Sequence, residues 1–317
     1  MSVAAVAIGR NEGARLIACL ESLAGQVERI IYVDSGSTDG SVAAAWARGA
    51  EVVELDTDTP FTAARARNAG FARLMEGGPP PTHVQFLDGD CVLQPGWIET
   101  AAAFLDATPK AAVACGRRRE RHPEASIYNR LIDTEWNTPV GEARACGGDA
   151  MIRTAAFQAV GGFDPALIAG EEPELCVRLR AAGWRIWRLD AEMTLHDAAM
   201  TRFGQWWQRA RRAGHAYAEG AALHGGPPER HGVRELTRIV AWGMVLPVLT
   251  LLGLIVSPWA GLLLLAWPAQ VLRLRLRGEP WAQALALTLI TLPQGLGVLT
   301  YLYRRLTRAR ARLIEYK

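Results

Sequence analysis

The run Val84 to Leu87 reads as a buried strand, and it stops abruptly at Asp88-Gly89-Asp90, two carboxylates one glycine apart. A buried strand ending this way limits what surrounds it. Side chains i and i+2 of a strand point the same way, so Asp88 and Asp90 can converge on one hard cation, and the small Gly89 lets a diphosphate approach closely. An Asp-Gly turn explains the same residues equally well. The rest of the chain has to decide between them.

Short apolar runs alternate with helical spacing from the start. Val3 to Ile8 reads as a strand; Leu16, Ile17, Leu20 and Leu23 then share one helical face before Gly25. Ile30 to Val33 is a second strand, closed by Asp34-Ser35-Gly36-Ser37-Thr38-Asp39-Gly40, with an Ala-rich helix from about Ser41 and a third strand over Glu51 to Leu55. Such alternation predicts a largely parallel α/β sheet whose ligands sit at the carboxyl ends of the strands, where Asp34, Asp39, Asp88 and Asp90 all fall. Neither G-x-G-x-x-G after the first strand nor G-x-x-x-x-G-K-[ST] is present, which removes the main support for a dinucleotide-dependent oxidoreductase or a P-loop NTPase.

Several ordered stretches between Val3 and His196 together resemble one family. They are Arg10-Asn11-Glu12-Gly13, Val33-Asp34-Ser35-Gly36-Ser37-Thr38-Asp39-Gly40, Ala66-Arg67-Asn68-Ala69-Gly70, Leu87-Asp88-Gly89-Asp90, Gly147-Gly148-Asp149 with Gly161-Gly162-Phe163-Asp164, and Glu171-Glu172-Pro173-Glu174-Leu175 with Arg178-Leu179 and Gly183. The set is similar to the inverting family 2 glycosyltransferases of the GT-A fold, a Rossmann-like, mixed but mainly parallel sheet. The resemblance implies a Mg²⁺ or Mn²⁺ cofactor held by Asp90, with Asp88 on the ribose or sharing the metal. It also implies Asp34 at the base or ribose, Asp39 supporting that loop, and Arg67 meeting the base or diphosphate. His196 matches a third metal ligand of some relatives, Asp149 would orient sugar or acceptor hydroxyls, and Glu172 stands in the place of the catalytic base, where the family usually has Asp. The expected chemistry is transfer of a sugar from a nucleotide diphosphate, with UDP the expected carrier, to an attacking hydroxyl.

Half the residues are hydrophobic, and the excess is local. Ile239 to Val256 carries no charge and, at about 27 Å as a helix, spans a bilayer core. Ser257-Pro258 breaks it, and Trp259 to Leu272 would return as the second leg of a hairpin ending at Arg273, Arg275 and Arg277. Trp281 to Tyr303, interrupted by Pro293, Gly295 and Gly297, is expected to be re-entrant or interfacial, keeping the arginines that follow on the cytoplasmic side. Nine Lys or Arg against two acids from Arg273 onward point to anionic lipid, and no aromatic-basic motif points to nucleic acid.

Trp206-Trp207-Gln208-Arg209-Ala210-Arg211 reads as an amphipathic interfacial helix, faintly similar to Q-x-x-R-W of processive synthases but with Arg212 in place of the tryptophan. Five scattered cysteines with no close pairing suggest neither a disulfide framework nor a zinc site, and fit a reducing compartment. The start of the chain lacks the features of a signal peptide.

The resulting expectation is a catalytic domain over 1–200, an interface helix and linker over 201–238, membrane-embedded helices over 239–303 and a basic tail over 304–317. Its partners would be a nucleotide-sugar donor, a lipid-linked or saccharide acceptor and membrane lipids, with the catalytic domain on the cytoplasmic face of the inner membrane. The competing expectations are a catalytically silent sugar-nucleotide sensor or assembly subunit, and a nucleotidyltransferase.

Overall fold

The computed structural model describes residues 2–307, so of the expected basic tail residues 308–317, with Arg308, Arg310 and Arg312, lie outside the described residues. The chain divides into two compact units, one comprising the residues up to Pro123 with Ile132–Ala199, the other Glu124–Leu131 with the residues from Met200 onward.

The first unit is built on a nine-stranded sheet. Its strands are β1 (Val3–Gly9), β2 (Arg29–Asp34), β3 (Glu51–Glu54), β4 (His83–Asp88), β5 (Cys91–Leu93), β6 (Ala111–Glu120), β7 (Gly141–Ala143), β8 (Ala150–Arg153) and β9 (Arg185–His196). They lie in the order β3-β2-β1-β4-β8-β6-β9-β5, with β7 also pairing β9. Strands β1 to β4 are mutually parallel and β8 runs against its neighbours β4 and β6, so the sheet is mixed but mainly parallel, as the GT-A resemblance implies. Every residue from Val3 to Ile8 is buried, as a central strand covered on both faces requires. In this register Gly9 faces Asp34 and Ile8 faces Asp88, which brings three strand ends to one edge of the sheet.

The helices of this unit are α1 (Ala14–Leu23), α2 (Ser41–Ala47), α3 (Ala63–Leu74), α4 (Trp97–Ala107), α5 (Ile127–Trp136, which begins in the other unit), α6 (Thr154–Ala159) and α7 (Glu171–Ala181). Leu16, Cys19, Leu20 and Leu23 form the buried stripe of α1, one residue different from the stripe read in the sequence. Thr62 caps α3, its hydroxyl accepting from the Arg65 N–H at 3.1 Å. His196 is the last residue of β9, whose far end pairs with both β5 and β6.

The second unit is helical: α8 (Phe203–His224), α9 (Val233–Ile239), α10 (Leu246–Val256), α11 (Ala266–Leu276), α12 (Trp281–Leu289) and α13 (Thr291–Thr307). A π-helical turn over Val240–Val245 joins α9 to α10. Among the described residues two helices are long and apolar enough to cross a membrane, Val233–Val256 and Trp281–Thr307. The expected return leg is not among them. It forms a 3₁₀ segment, Pro258–Leu265, followed by the arginine-bearing α11. Trp281 to Thr307 runs on through Pro293, Gly295 and Gly297 because those glycines are contact points: a Cβ on Gly297 would lie 2.0 Å from the Arg211 carbonyl oxygen of α8. Arg211 itself donates to Thr300 Oγ1 at 3.0 Å.

Close approach also decides the packing of α3. A Cβ on Gly70 would meet Val6 Cγ1 at 2.4 Å and Val33 Cγ2 at 2.9 Å. Alanine is the better helix former by about 1 kcal/mol. Both contacts, however, are stiff β-branched side chains in the core, so overpacking outweighs propensity. Gly70→Ala is therefore expected to destabilise the protein by about 1–3 kcal/mol in chemical denaturation; a stabilised variant would contradict the packing of α3 on β1 and β2.

Candidate functional site

At the end of β2 the Asp34 carboxylate is buried and turned inward. Its Oδ1 accepts from the Tyr32 hydroxyl at 2.9 Å, and its Oδ2 from the N–H groups of Gly36 at 2.9 Å and Ser37 at 2.7 Å. The aspartate expected at the base or ribose thus holds the loop that follows it. Burial, reinforced by Asp34, pushes the Tyr32 phenol up, so it stays a donor. Asn11 stitches the end of β1 to the same loop, its N–H donating to Ser37 Oγ and its Oδ1 accepting from the Thr38 N–H, both at 2.8 Å. Asp39 Oδ1 accepts from the N–H of Ser41 at 3.1 Å and its hydroxyl at 2.6 Å, and this hydroxyl bond chiefly holds Asp39 below the usual carboxylate range.

At the end of β4, Asp88 is gripped by two arginines. Arg67 Nη2 donates to Oδ1 at 2.8 Å and Arg118 Nη2 to Oδ2 at 3.1 Å. Arg67 is only 1% exposed; its Nη1 donates to Glu171 at 2.8 Å and Glu172 at 3.4 Å. Burial opposes its charge, but Asp88, Glu172 and Glu171 outweigh burial and keep the guanidinium protonated. Arg67 therefore ties α3 to β4 and α7, rather than facing outward towards a base or diphosphate.

Asp149 is likewise inside, at 0% exposure. It accepts from the Asp88 N–H at 3.1 Å and the Thr194 hydroxyl at 2.8 Å, and lies 3.3 Å from Arg118 Nε. This carboxylate, expected to orient sugar or acceptor hydroxyls, buttresses the end of β4. Arg118 escaped the sequence reading. The available signal was Arg117-Arg118-Arg119 prolonging the apolar run Ala111–Cys115, since strand alternation turns one arginine of three away from its neighbours.

Past Gly89, ligand atoms of Asp88, Asp90, Cys91 and His196 all lie within 4.8 Å of one another. Antiparallel pairing sets Cys91 opposite His196, whose Nε2 is 3.1 Å from Asp90 Oδ1. Burial, with Arg118 next in effect, lowers His196 to about 3, so its imidazole is neutral and can offer a lone pair. Its Nδ1 is buried and makes no hydrogen bond within the protein. Two carboxylates and a neutral imidazole suit Mg²⁺ or Mn²⁺. Burial pushes the Cys91 thiol well up, leaving it a poor donor to such hard cations. Trp136 closes this side, 4.8 Å from the His196 ring and 4.7 Å beneath the Arg118 guanidinium.

Helix α7 begins at Gly170, whose φ of 79° suits glycine, and presents three acids in its first turn. Glu174 is engaged by Arg178, at 2.6 Å in its shortest contact, and Glu171 is taken by Arg67. Glu172 retains a 19% exposed side chain. Burial, and then the charge of Glu171, pushes it up to about 7 against the opposing pull of Arg67. A Cβ on Gly148 would lie 3.1 Å from Glu172 Oε1 and 3.2 Å from Asp88 Oδ2. The two carboxylates thus flank the same stretch of glycine backbone.

Sequence comparison matches the description "Glycosyl transferase family 2" over residues 6–159 and "Glycosyl transferase family group 2" over 83–298, more than half the chain. The succinoglycan biosynthesis protein ExoA of Rhizobium meliloti is 25% identical over 79% of this chain and 80% of its own. The mannosyltransferase PcManGT of Pyrobaculum calidifontis, solved with GDP-Man and Mn²⁺, superposes with a TM-score of 0.61 at 16% identity, covering 96% of this chain and 87% of that one. The glucosyl-3-phosphoglycerate synthase of Mycobacterium tuberculosis, solved with Mn²⁺, UDP and glucosyl-3-phosphoglycerate, gives a TM-score of 0.50 at 18% identity, covering 72% and 81%. With its sheet, strand-end carboxylates and sequence in agreement, the chain belongs to the family 2 glycosyltransferases.

Proposed function

We propose that the protein transfers a hexose, with inversion, from a nucleoside-diphosphate sugar to an acceptor hydroxyl, with Glu172 as the base. The observation that carries this reading is the meeting, at one sheet edge, of the Asp88–Asp90–His196 donor set with a partly exposed glutamate raised to about 7. Asp90, Asp88 and His196 would hold Mg²⁺ or Mn²⁺, which supplies Lewis-acid stabilisation of the departing diphosphate. Mn²⁺ is favoured by the solved neighbours that contain it, and UDP is the carrier to test first beside GDP.

The protein's own groups account for the rest. Arg67 and Arg118 fix Asp88 from both sides, and Glu172 takes the proton of the attacking hydroxyl as the new glycosidic bond forms. A base near 7 suits a weakly acidic hydroxyl better than an ordinary carboxylate would, and the extra methylene relative to Asp is part of this chain's acceptor geometry. The acceptor proposed is a lipid-linked or growing envelope saccharide, in line with the succinoglycan role named for the R. meliloti relative. Two spanning-length helices support residence at a membrane. Ile255 and Val256 are 81% and 89% exposed, a poor arrangement in water. Arg304 and Arg305, which close the last described helix, support a reading in which the catalytic unit faces the cytoplasmic side of the inner membrane.

Asp90→Asn is expected to lower metal-dependent sugar transfer by at least about 10³-fold while leaving the circular dichroism spectrum unchanged; an unchanged rate would remove Asp90 from the metal set. A base works ionised, so raising its pKa moves the acidic limb of the rate profile upward. kcat/KM should therefore fall as pH drops through about 7. Glu172→Gln should cost about 10²–10⁴-fold and abolish that limb. A limb in the ordinary glutamate range would point to a different base.

A further inference from the structure

The sequence spacing gives no cysteine pairing, yet the fold brings two together: Cys146 Sγ and Cys176 Sγ are 3.6 Å apart. Cys146 lies between β7 and β8, and Cys176 lies on α7 one turn beyond Glu172. One turn further along the same helix, Arg180 donates to the Arg144 carbonyl, so residues 144 and 146 run along the face of α7. Two residues past Cys146, Gly148 passes the site: a Cβ there would meet Arg67 Nη2 at 2.5 Å as well as the carboxylates of Glu172 and Asp88. This loop is therefore a wall of the catalytic site, and the thiol pair is its fastening to the helix that carries Glu172.

Cys146 is partly exposed and Cys176 is shielded. The hydrogen bond between them lowers the Cys176 thiol against the effect of its burial and, with burial, raises the Cys146 thiol well above its ordinary value. The other three cysteines are buried: Cys19 and Cys91 are pushed up by burial and nearby carboxylates, and Cys115 by burial to about 12. Only the Cys146–Cys176 pair combines access with a partner in reach.

We propose that Cys146 and Cys176 form an oxidative modification site, at which a hydroperoxide closes a disulfide that fixes the loop to α7 and slows sugar transfer. The effect on rate rests on the site reading above; the bond itself does not. One sulfur of the pair attacks one peroxide oxygen, giving a sulfenic acid and releasing the alcohol, or water from hydrogen peroxide. The other sulfur then attacks the sulfenic sulfur, forming S–S and expelling hydroxide, which leaves as water with the remaining thiol proton. Two thiols lose two electrons, and the O–O bond is reduced. The sulfurs need only close from 3.6 Å to about 2.05 Å. That draws the loop onto the helix.

The test treats the detergent-purified full chain with hydrogen peroxide, blocks free thiols, and maps cross-linked peptides by mass spectrometry. The expected result is a dominant Cys146–Cys176 link that dithiothreitol reverses, and a transfer rate that falls about tenfold and recovers with the reductant. Cys146→Ser, compared with and without peroxide against its own untreated rate, should lose the response. Links to other cysteines, or oxidation of Cys146 with no link formed, would overturn the site. An unchanged rate in fully linked protein, or equal inhibition of Cys146→Ser, would overturn its control of transfer. Should no sugar transfer be found at all, the peptide map still decides the bond, while that failure counts against the proposed function.

Discussion

A single buried cation, the Arg67 guanidinium, holds the site together. Removing an arginine from water costs several kcal/mol unless its charge and its N–H groups are met. Here Asp88 comes from a strand end, Glu171 and Glu172 from the first turn of a helix, and the guanidinium from α3. None of these elements can shift without leaving a charge unmatched in a poorly hydrated place. Arg118 repeats the device on the other side, joining Asp88 to Asp149 and packing on Trp136. Asp88 is thereby fixed from both ends of its carboxylate.

The same arrangement separates the roles of otherwise similar acids. Glu171 is used by Arg67 and Glu174 by Arg178, so the raised, partly exposed carboxylate of this turn is Glu172. Asp149 and Asp34 face inward and shape backbone, the first at β4 and the second at the loop after β2. Asp90 and His196 meet on neighbouring backbone because β5 pairs with the end of β9. Two arginines, one histidine and a handful of carboxylates produce a divided site in which the Asp88–Asp90–His196 set and the raised Glu172 carboxylate lie on different elements.

Much of this was legible beforehand for a physical reason. Central strands of a parallel sheet are apolar throughout, so Val3–Ile8, Ile30–Val33 and Val84–Leu87 announce themselves, and whatever polar residue ends them lies at the ligand edge. What remained hidden depends on which way a side chain turns. The sequence places Asp34, Arg67 and Asp149 near the site but does not say that their partners are Tyr32, Glu171 and Thr194. Arg118 and the Cys146–Cys176 contact come from residues 30 apart or more meeting across the sheet edge, which local periodicity does not encode. The course of Trp281–Thr307 was hidden because Gly295 and Gly297 read as helix breakers, whereas Gly297 is where α13 meets α8 backbone to backbone.

The most direct test of a metal-dependent nucleotide-sugar site is thermal unfolding of the full chain in detergent with UDP or GDP, each with and without Mn²⁺. One nucleotide should stabilise the protein only when the metal is present, by about 2.7 kcal/mol at a hundred times its Kd. Folded protein that neither nucleotide stabilises, or that is stabilised equally without metal, would contradict the assignment of Asp88, Asp90 and His196.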